Sequence, residues 1–228
     1  MFKERIRKPL LWELFFYGLT GFDHDGVMAD SRQAAVDGYN DEFKTNHTVD
    51  EIRNQNSLAE WAKEDLGVSD EKAMRIHNDI WYHRPDILFH AKPRPGAIAL
   101  TQELTRNGNS FQIVTSRPEK YTESTYQWYR ENMPWISKDQ INIKTTDEMT
   151  GEVFKTWTIS PNRLGIDVFF EDSVEQAKYI TTYTNAIVVL LSNEPIYDIP
   201  NRDRIIKVTS LENRQPTLQE AEQALFYR

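Results

Sequence analysis

Apolar residues in this chain fall into short, nearly continuous runs separated by longer stretches of helical spacing. The runs lie at roughly 15–23, 111–115, 141–144, 167–171 and 186–191, and their length and continuity predict strands buried on both faces. Between them the spacing predicts helices over about 96–107, ending at Asn107-Gly108, over 119–133, stopped by Pro134, over 153–164, where Pro161 breaks the pattern, and over 173–183. A short helix is expected over 1–14 and a C-terminal one from about 216. Alternating strands and helices predict an α/β fold with a parallel sheet flanked by helices.

One segment breaks this rhythm. From about Ser31 to Lys92 the chain is polar and helix-forming, with Leu58, Trp61, Ala62 and Leu66 marking one predicted helix and Ala73, Ile76, Ile80 and Trp81 another. Pro93, Pro95 and Gly96 punctuate the return. The pattern thus predicts a core of residues 1–30 and 93–228 interrupted by a helical insert, 31–92, with linkers near 29–32 and 90–95. No internal repeat or low-complexity segment is visible.

Chemistry collects where three predicted strands end, the place where open α/β sheets put their sites. The first run ends in Leu-Thr-Gly-Phe-Asp-His-Asp-Gly-Val, residues 19–27. Strand alternation would send Asp23 and Asp25 from the same face, and like charges so close require a cation, a shared proton or an anionic reaction partner. Gly26 permits the turn that follows. The second run ends at Thr115, Ser116 and Arg117, hydroxyls and a cation suited to phosphate oxygens. The third ends at Glu171 and Asp172, acids that would equally suit the N-terminus of the next helix. Two lysines precede that third run: Lys144 at a strand end, and Lys155 near the start of the helix leading into it.

In order and residue type these motifs resemble the four motifs of the haloacid dehalogenase-like (HAD) hydrolase superfamily: an Asp-x-Asp pair, a Thr or Ser, a Lys or Arg, and an acidic pair. The resemblance spans residues 15 to about 192, and the combination is specific where each motif alone is weak. Thr115-Ser116-Arg117-Pro118 and the stretch Leu164–Ser173 are most similar to the branch of the 5'(3')-deoxyribonucleotidases and 5'-nucleotidases. The resemblance implies a HAD-like Rossmannoid core, with the insert as a small helical first-position cap that closes over the site and selects substrates.

It further implies a Mg²⁺-dependent phosphatase that hydrolyses phosphate monoesters through an aspartyl-phosphate intermediate. Asp23 would be the nucleophile, and Asp25 the acid that protonates the leaving group and then activates water. Superfamily ATPases typically lack an acid at that second position, so Asp25 favours a phosphatase. Thr115 would bind a phosphate oxygen, with Ser116 and Arg117 adding substrate contacts, although Arg117 could instead pair with an acid in the loop. Lys155, ahead of Lys144, would neutralise nucleophile and phosphate. The implied metal ligands are Asp23, the backbone carbonyl of Asp25 and the side chain of Asp172, with Glu171 orienting a water. His24 departs from the family pattern, and as the middle residue it should point away from the carboxylates in a structural role.

The implied substrate is a (deoxy)nucleoside monophosphate, with a sugar phosphate or a polynucleotide end as alternatives. A non-catalytic binding protein would be marked by a lost motif residue, and all four motifs are intact. In the cap, Trp61, Trp81, Tyr82 and Phe89 could stack on a nucleobase or form the subdomain's own core; His83 and Arg84 read as surface residues. Composition adds limits. Apolar content of 39% with 27% charged residues is that of a globular protein, and a net charge of −8 disfavours duplex nucleic acid as a partner. The absence of cysteine excludes disulfides and thiolate chemistry. The apolar stretch Leu10–Phe22 follows Lys3, Arg5, Arg7 and Lys8, but Glu13 interrupts it and no small-residue cleavage site follows. It is too short to span a bilayer, so a cytoplasmic protein without membrane contact is expected.

Overall fold

A computed structural model describes residues 18–52, 56–144, 146, 148–197, 200–210 and 216–226. Its framework is a six-stranded sheet: β1 (Thr20–Phe22), β2 (Phe111–Thr115), β3 (Ile141–Ile143), β4 (Val168–Glu171), β5 (Ile187–Leu191) and β6 (Ile205–Val208). The spatial order is β3-β2-β1-β4-β5-β6, and every neighbouring pair is parallel. The predicted helix over 1–14 and the first residues of the predicted first strand lie outside the described residues. β6 was not foreseen, because Lys207 interrupts its short apolar run, as suits an edge strand.

Register decides where the chemistry falls. Phe22 lies opposite Ile113 on one side and Phe170 on the other, so Asp23, Thr115 and Glu171 all come at the same carboxyl edge of the sheet. β1 can sit between its neighbours because of Gly21: a Cβ there would lie 2.6 Å from the Phe169 ring and 2.8 Å from Ile166 Cδ1. On the other face Phe22 stacks on Phe170 with ring centroids 4.9 Å apart, and meets Phe111 edge-on at 6.0 Å. Around Phe169, Val114, Val188 and Leu190 pack with Phe154, Ile159, Ala177 and Ile180 from flanking helices, giving one continuous buried layer.

Among the described residues, those up to Met28 and from Pro93 onward form one compact unit, and those from Ala29 to Lys92 a second. The second is helical: Ser31–Phe43, Ser57–Leu66, Asp70–Asn78 and Pro85–Phe89. The helix begun at Asp70 continues through a wider π turn at Asp79–His83, which shifts the face that the predicted spacing assumed: Ala73, His77 and Ile80 are buried, Ile76 and Trp81 only partly. Leu66, expected among the apolar positions, is 38% exposed at the end of its helix. The unit's core has an aromatic centre, with Trp61 stacked on the His47 ring at 4.1 Å and Tyr39 against both.

Candidate active site

β1 ends at Phe22, and the Asp23 N–H still donates to the Phe170 carbonyl at 2.9 Å, which carries this buried residue one step past the sheet. The chain then turns, with Met28 N–H donating to the His24 carbonyl at 3.0 Å and Gly26 at a φ of 77°. Asp25 is therefore aimed by a turn, and strand alternation, from which its direction was read, does not reach it. Gly26 is required twice over, since a Cβ at that position would also lie 2.0 Å from Asp172 Oδ2.

The helix Gly151–Ile159 delivers the cation. Thr150 caps it by accepting from Val153 N–H, so it starts earlier than predicted, and it ends at Ile159, ahead of Pro161. From its second turn the buried Lys155 places Nζ 2.9 Å from Asp23 Oδ1 and 2.8 Å from Glu171 Oε2. Burial alone would lower the lysine's pKa, but the two carboxylates outweigh it and hold the ammonium well above its ordinary value. Lys144 takes another course and donates to the Met149 carbonyl at 3.2 Å.

Glu171 is wholly buried and serves as a hub. Its Oε1 accepts from the backbone N–H groups of Asp172 and Ser173 at 3.1 and 3.0 Å, while Oε2 takes the lysine. The side chain that caps the next helix, Val174–Tyr183, is Ser173, which accepts from Gln176 N–H at 3.3 Å. Burial pushes the carboxyls of both Asp23 and Glu171 above their ordinary range, neighbouring acids add to this, and Lys155 opposes it.

Ligand oxygens of Asp23, Glu171 and Asp172 lie within 4.8 Å of one another. Three carboxyl groups share one ammonium at this spot, so ionising all of them calls for further positive charge, and hard oxygen donors without thiolate or imidazole are what Mg²⁺ selects. The residues present thus fit a divalent cation of this kind.

On the other flank Thr115 Oγ1 accepts from Arg117 N–H at 3.2 Å, leaving its own proton to donate elsewhere. Ser116 is half-buried, its Cβ 2.8 Å from where a Cβ on Gly151 would stand. Arg117 grips Asp25 with a fork: Nε to Oδ2 at 2.9 Å and to Oδ1 at 3.2 Å, and Nη2 to Oδ1 at 2.7 Å. Of its two sequence readings, pairing with a loop acid is the contact observed. Nη1 reaches Thr125 Oγ1 at 3.4 Å, and the guanidinium lies 6.0 Å from the Tyr121 ring. Neither Thr125 nor Tyr121 was singled out from sequence. The available signal was that 121, 125, 128 and 129 form the buried face of the predicted helix over 119–133.

His24 lies in the core, its Nδ1 2.9 Å from the Tyr129 hydroxyl and its ring edge-on to Trp128 at 4.9 Å. Burial, aided by Arg117, pushes its pKa down to about 3, so the ring is neutral. In the helical unit Trp61 is buried against His47 and serves the core; Trp81 and Phe89 are half-buried and Tyr82 is 48% exposed. Arg84 is held in ion pairs with Glu42 and Asp86, and His83 lies 3.3 Å from Asp79.

A parallel α/β sheet bearing an Asp-x-Asp turn, a buried lysine and an acidic pair at its carboxyl edge defines a hydrolase of the HAD superfamily. The family described as "5' nucleotidase, deoxy (Pyrimidine), cytosolic type C protein" matches residues 18–193, and the chain belongs to it. A protein named "Putative nucleotidase" from Bacillus cereus is 25% identical over 130 residues, which cover 56% of this chain and 66% of that protein, just under two thirds of its length. Among solved structures, a HAD family hydrolase from Deinococcus radiodurans R1 with bound phosphate and sodium is similar at a TM-score of 0.57 and 15% identity, over 91% of this chain and 94% of that one. A "putative phosphoglycolate phosphatase" from Lactobacillus delbrueckii is similar at 0.57 and 17%, over 92% and 98%. These structural likenesses concern the fold. Among the described residues no helix is long and apolar enough to cross a membrane.

Proposed function

We propose that the protein is a Mg²⁺-dependent phosphatase that hydrolyses (deoxy)nucleoside monophosphates through an aspartyl phosphate on Asp23. The observation that carries this reading is the buried lysine shared by Asp23 and Glu171, because it fixes the Asp23 carboxyl at the sheet edge and opposes the protonation that burial favours. Asp23 attacks phosphorus; its new oxygen–phosphorus bond forms as the bond to the leaving alkoxide breaks. Asp25 gives that alkoxide a proton. In the second half Asp25 takes a proton from the water that attacks phosphorus, and Asp23 is released with inorganic phosphate. Thr115 donates to a phosphate oxygen and Ser116 adds a contact, while Lys155 holds the nucleophile in place. Asp23, Asp172 and the Asp25 backbone carbonyl would hold Mg²⁺, with Glu171 acting through a water. The cation supplies neutralisation that lets a phosphate dianion approach ionised carboxylates.

Family membership and the relative described as a nucleotidase support the nucleotide as substrate. The test is phosphate release, with and without Mg²⁺, across nucleoside 5'- and 3'-monophosphates, sugar phosphates and 5'-phosphorylated oligonucleotides. Nucleoside monophosphates are expected to give the highest kcat/KM. A sugar phosphate or an oligonucleotide at the head of the panel would replace the substrate class, and silence toward all of them would remove the enzymatic reading.

A further inference from the structure

Arg117 has the residue type of a phosphate ligand and the surroundings of something else. Its side chain is 4% exposed, whereas the Asp25 side chain it grips is 31% exposed, so in this ion pair the carboxylate is the open partner and the guanidinium stands behind it. One edge of the guanidinium, Nε with Nη2, is taken up by Asp25. On the other side Nη1 meets Thr125, and the Tyr121 ring lies beside the group. Thr125 and Tyr121 are themselves buried. A fork of this kind fixes the plane of a carboxylate as well as its position, which a point charge does not.

We propose that Arg117 is a positioning residue: it aims the Asp25 carboxyl at the leaving-group oxygen and is not a ligand of the phosphate. This rests on the phosphatase reading above. The dependence on leaving group separates the two roles. An alkoxide must receive a proton as the phosphorus–oxygen bond breaks and the bond to Asp23 forms, so its departure needs a well-aimed Asp25. A nitrophenolate departs as a stable anion and needs no proton, yet it carries the same phosphate.

The experiment compares kcat/KM, which reports the phosphoryl-transfer step, for the best nucleoside monophosphate and for 2,4-dinitrophenyl phosphate. Wild-type turnover of both esters tests the underlying reading separately, since silence toward both removes that reading before Arg117 is altered. Arg117→Ala is expected to lose about 100-fold on the nucleotide and at least about thirtyfold less on the activated ester. Arg117→Lys, which retains charge and most of the stem without the fork, should show the same selective loss, and it supplies the comparison if Arg117→Ala fails to fold. In an Asp25→Asn background, Arg117→Ala should add less than about threefold. Equal losses on both esters would make Arg117 a phosphate ligand and overturn the proposal. So would full activity of Arg117→Lys, or an undiminished loss in the Asp25→Asn background.

Discussion

A buried ammonium between two carboxylates is the contact on which most of the site's geometry depends, and it can be removed without changing side-chain length much. Lys155→Met leaves Asp23 and Glu171 buried and unpaired, and should destabilise the protein by about 3–5 kcal/mol in denaturant unfolding. Lys144→Met, which gives up a hydrogen bond to the Met149 carbonyl from a half-buried position, should lose less than Lys155→Met. Asp172→Ala should raise the Mg²⁺ concentration needed for half-maximal activity, with partial recovery at high metal, while Asp37→Ala, an exposed acid of the helical unit, leaves the Mg²⁺ titration unchanged. Superimposable titrations for Asp172→Ala and wild type would contradict the metal assignment. At this scale the sequence shows residue types well and partners poorly. Acids, hydroxyls and cations at three strand ends could be read from the pattern. That Arg117 would meet Asp25, 92 residues away, depends on packing between elements that no local spacing encodes, whereas the place of Lys155 in the helix leading into β4 already sets it ahead of Lys144, and it is Lys155 that meets Asp23 and Glu171.

Elements were legible where apolar runs are long or punctuation is strong, and the departures have local causes. β2 covers the predicted residues 111–115, and Ser173 starts the helix after β4 at the predicted place. The helix Gly151–Ile159 is displaced because Thr150 captures its first turn and Pro161 forbids its last. Ser31–Phe43 lacks a clear apolar spacing since polar residues dominate it, and the π turn at Asp79–His83 has no periodic sequence signature. Gly26→Ala combines a left-handed φ with a clash against Asp172, so a loss of about 1–3 kcal/mol should be accompanied by weakened metal dependence of activity. In the helical unit, the two ring nitrogens of His47 lie 2.9 and 2.8 Å from carboxylate oxygens of Glu51 and Asp65, and only the protonated ring can donate to both; burial lowers its pKa, but these partners prevail and raise it. A raised folded-state pKa means that its stabilisation is complete below the ordinary value near 6.5 and is lost as pH rises through the folded-state value. Thermal unfolding of wild type should therefore lose stability across that window relative to His47→Gln. Parallel pH profiles for the two proteins would contradict this.

For the molecule as a whole, fold class followed from alternation: short buried strands separated by helices leave a parallel sheet as the arrangement that covers both faces. The order β3-β2-β1-β4-β5-β6 and the edge strand β6 did not follow, because strand order is set by crossover packing and β6 is short and half-polar. What the architecture does for function is to bring the ends of β1, β2 and β4 to one edge, so that a net charge of −8 coexists with a site whose local cations, Lys155 and Arg117, are both committed to carboxylates. The central claim is that Asp23 becomes covalently phosphorylated during turnover. Acid quench of wild type turning over a nucleoside monophosphate with Mg²⁺, followed by borohydride reduction and peptide mass spectrometry, reads this directly. The account predicts reduction of the side chain at position 23 to homoserine in wild type, with no such product and no phosphate release from Asp23→Asn. Sustained phosphate release with position 23 unmodified, and undiminished in Asp23→Asn, would contradict it.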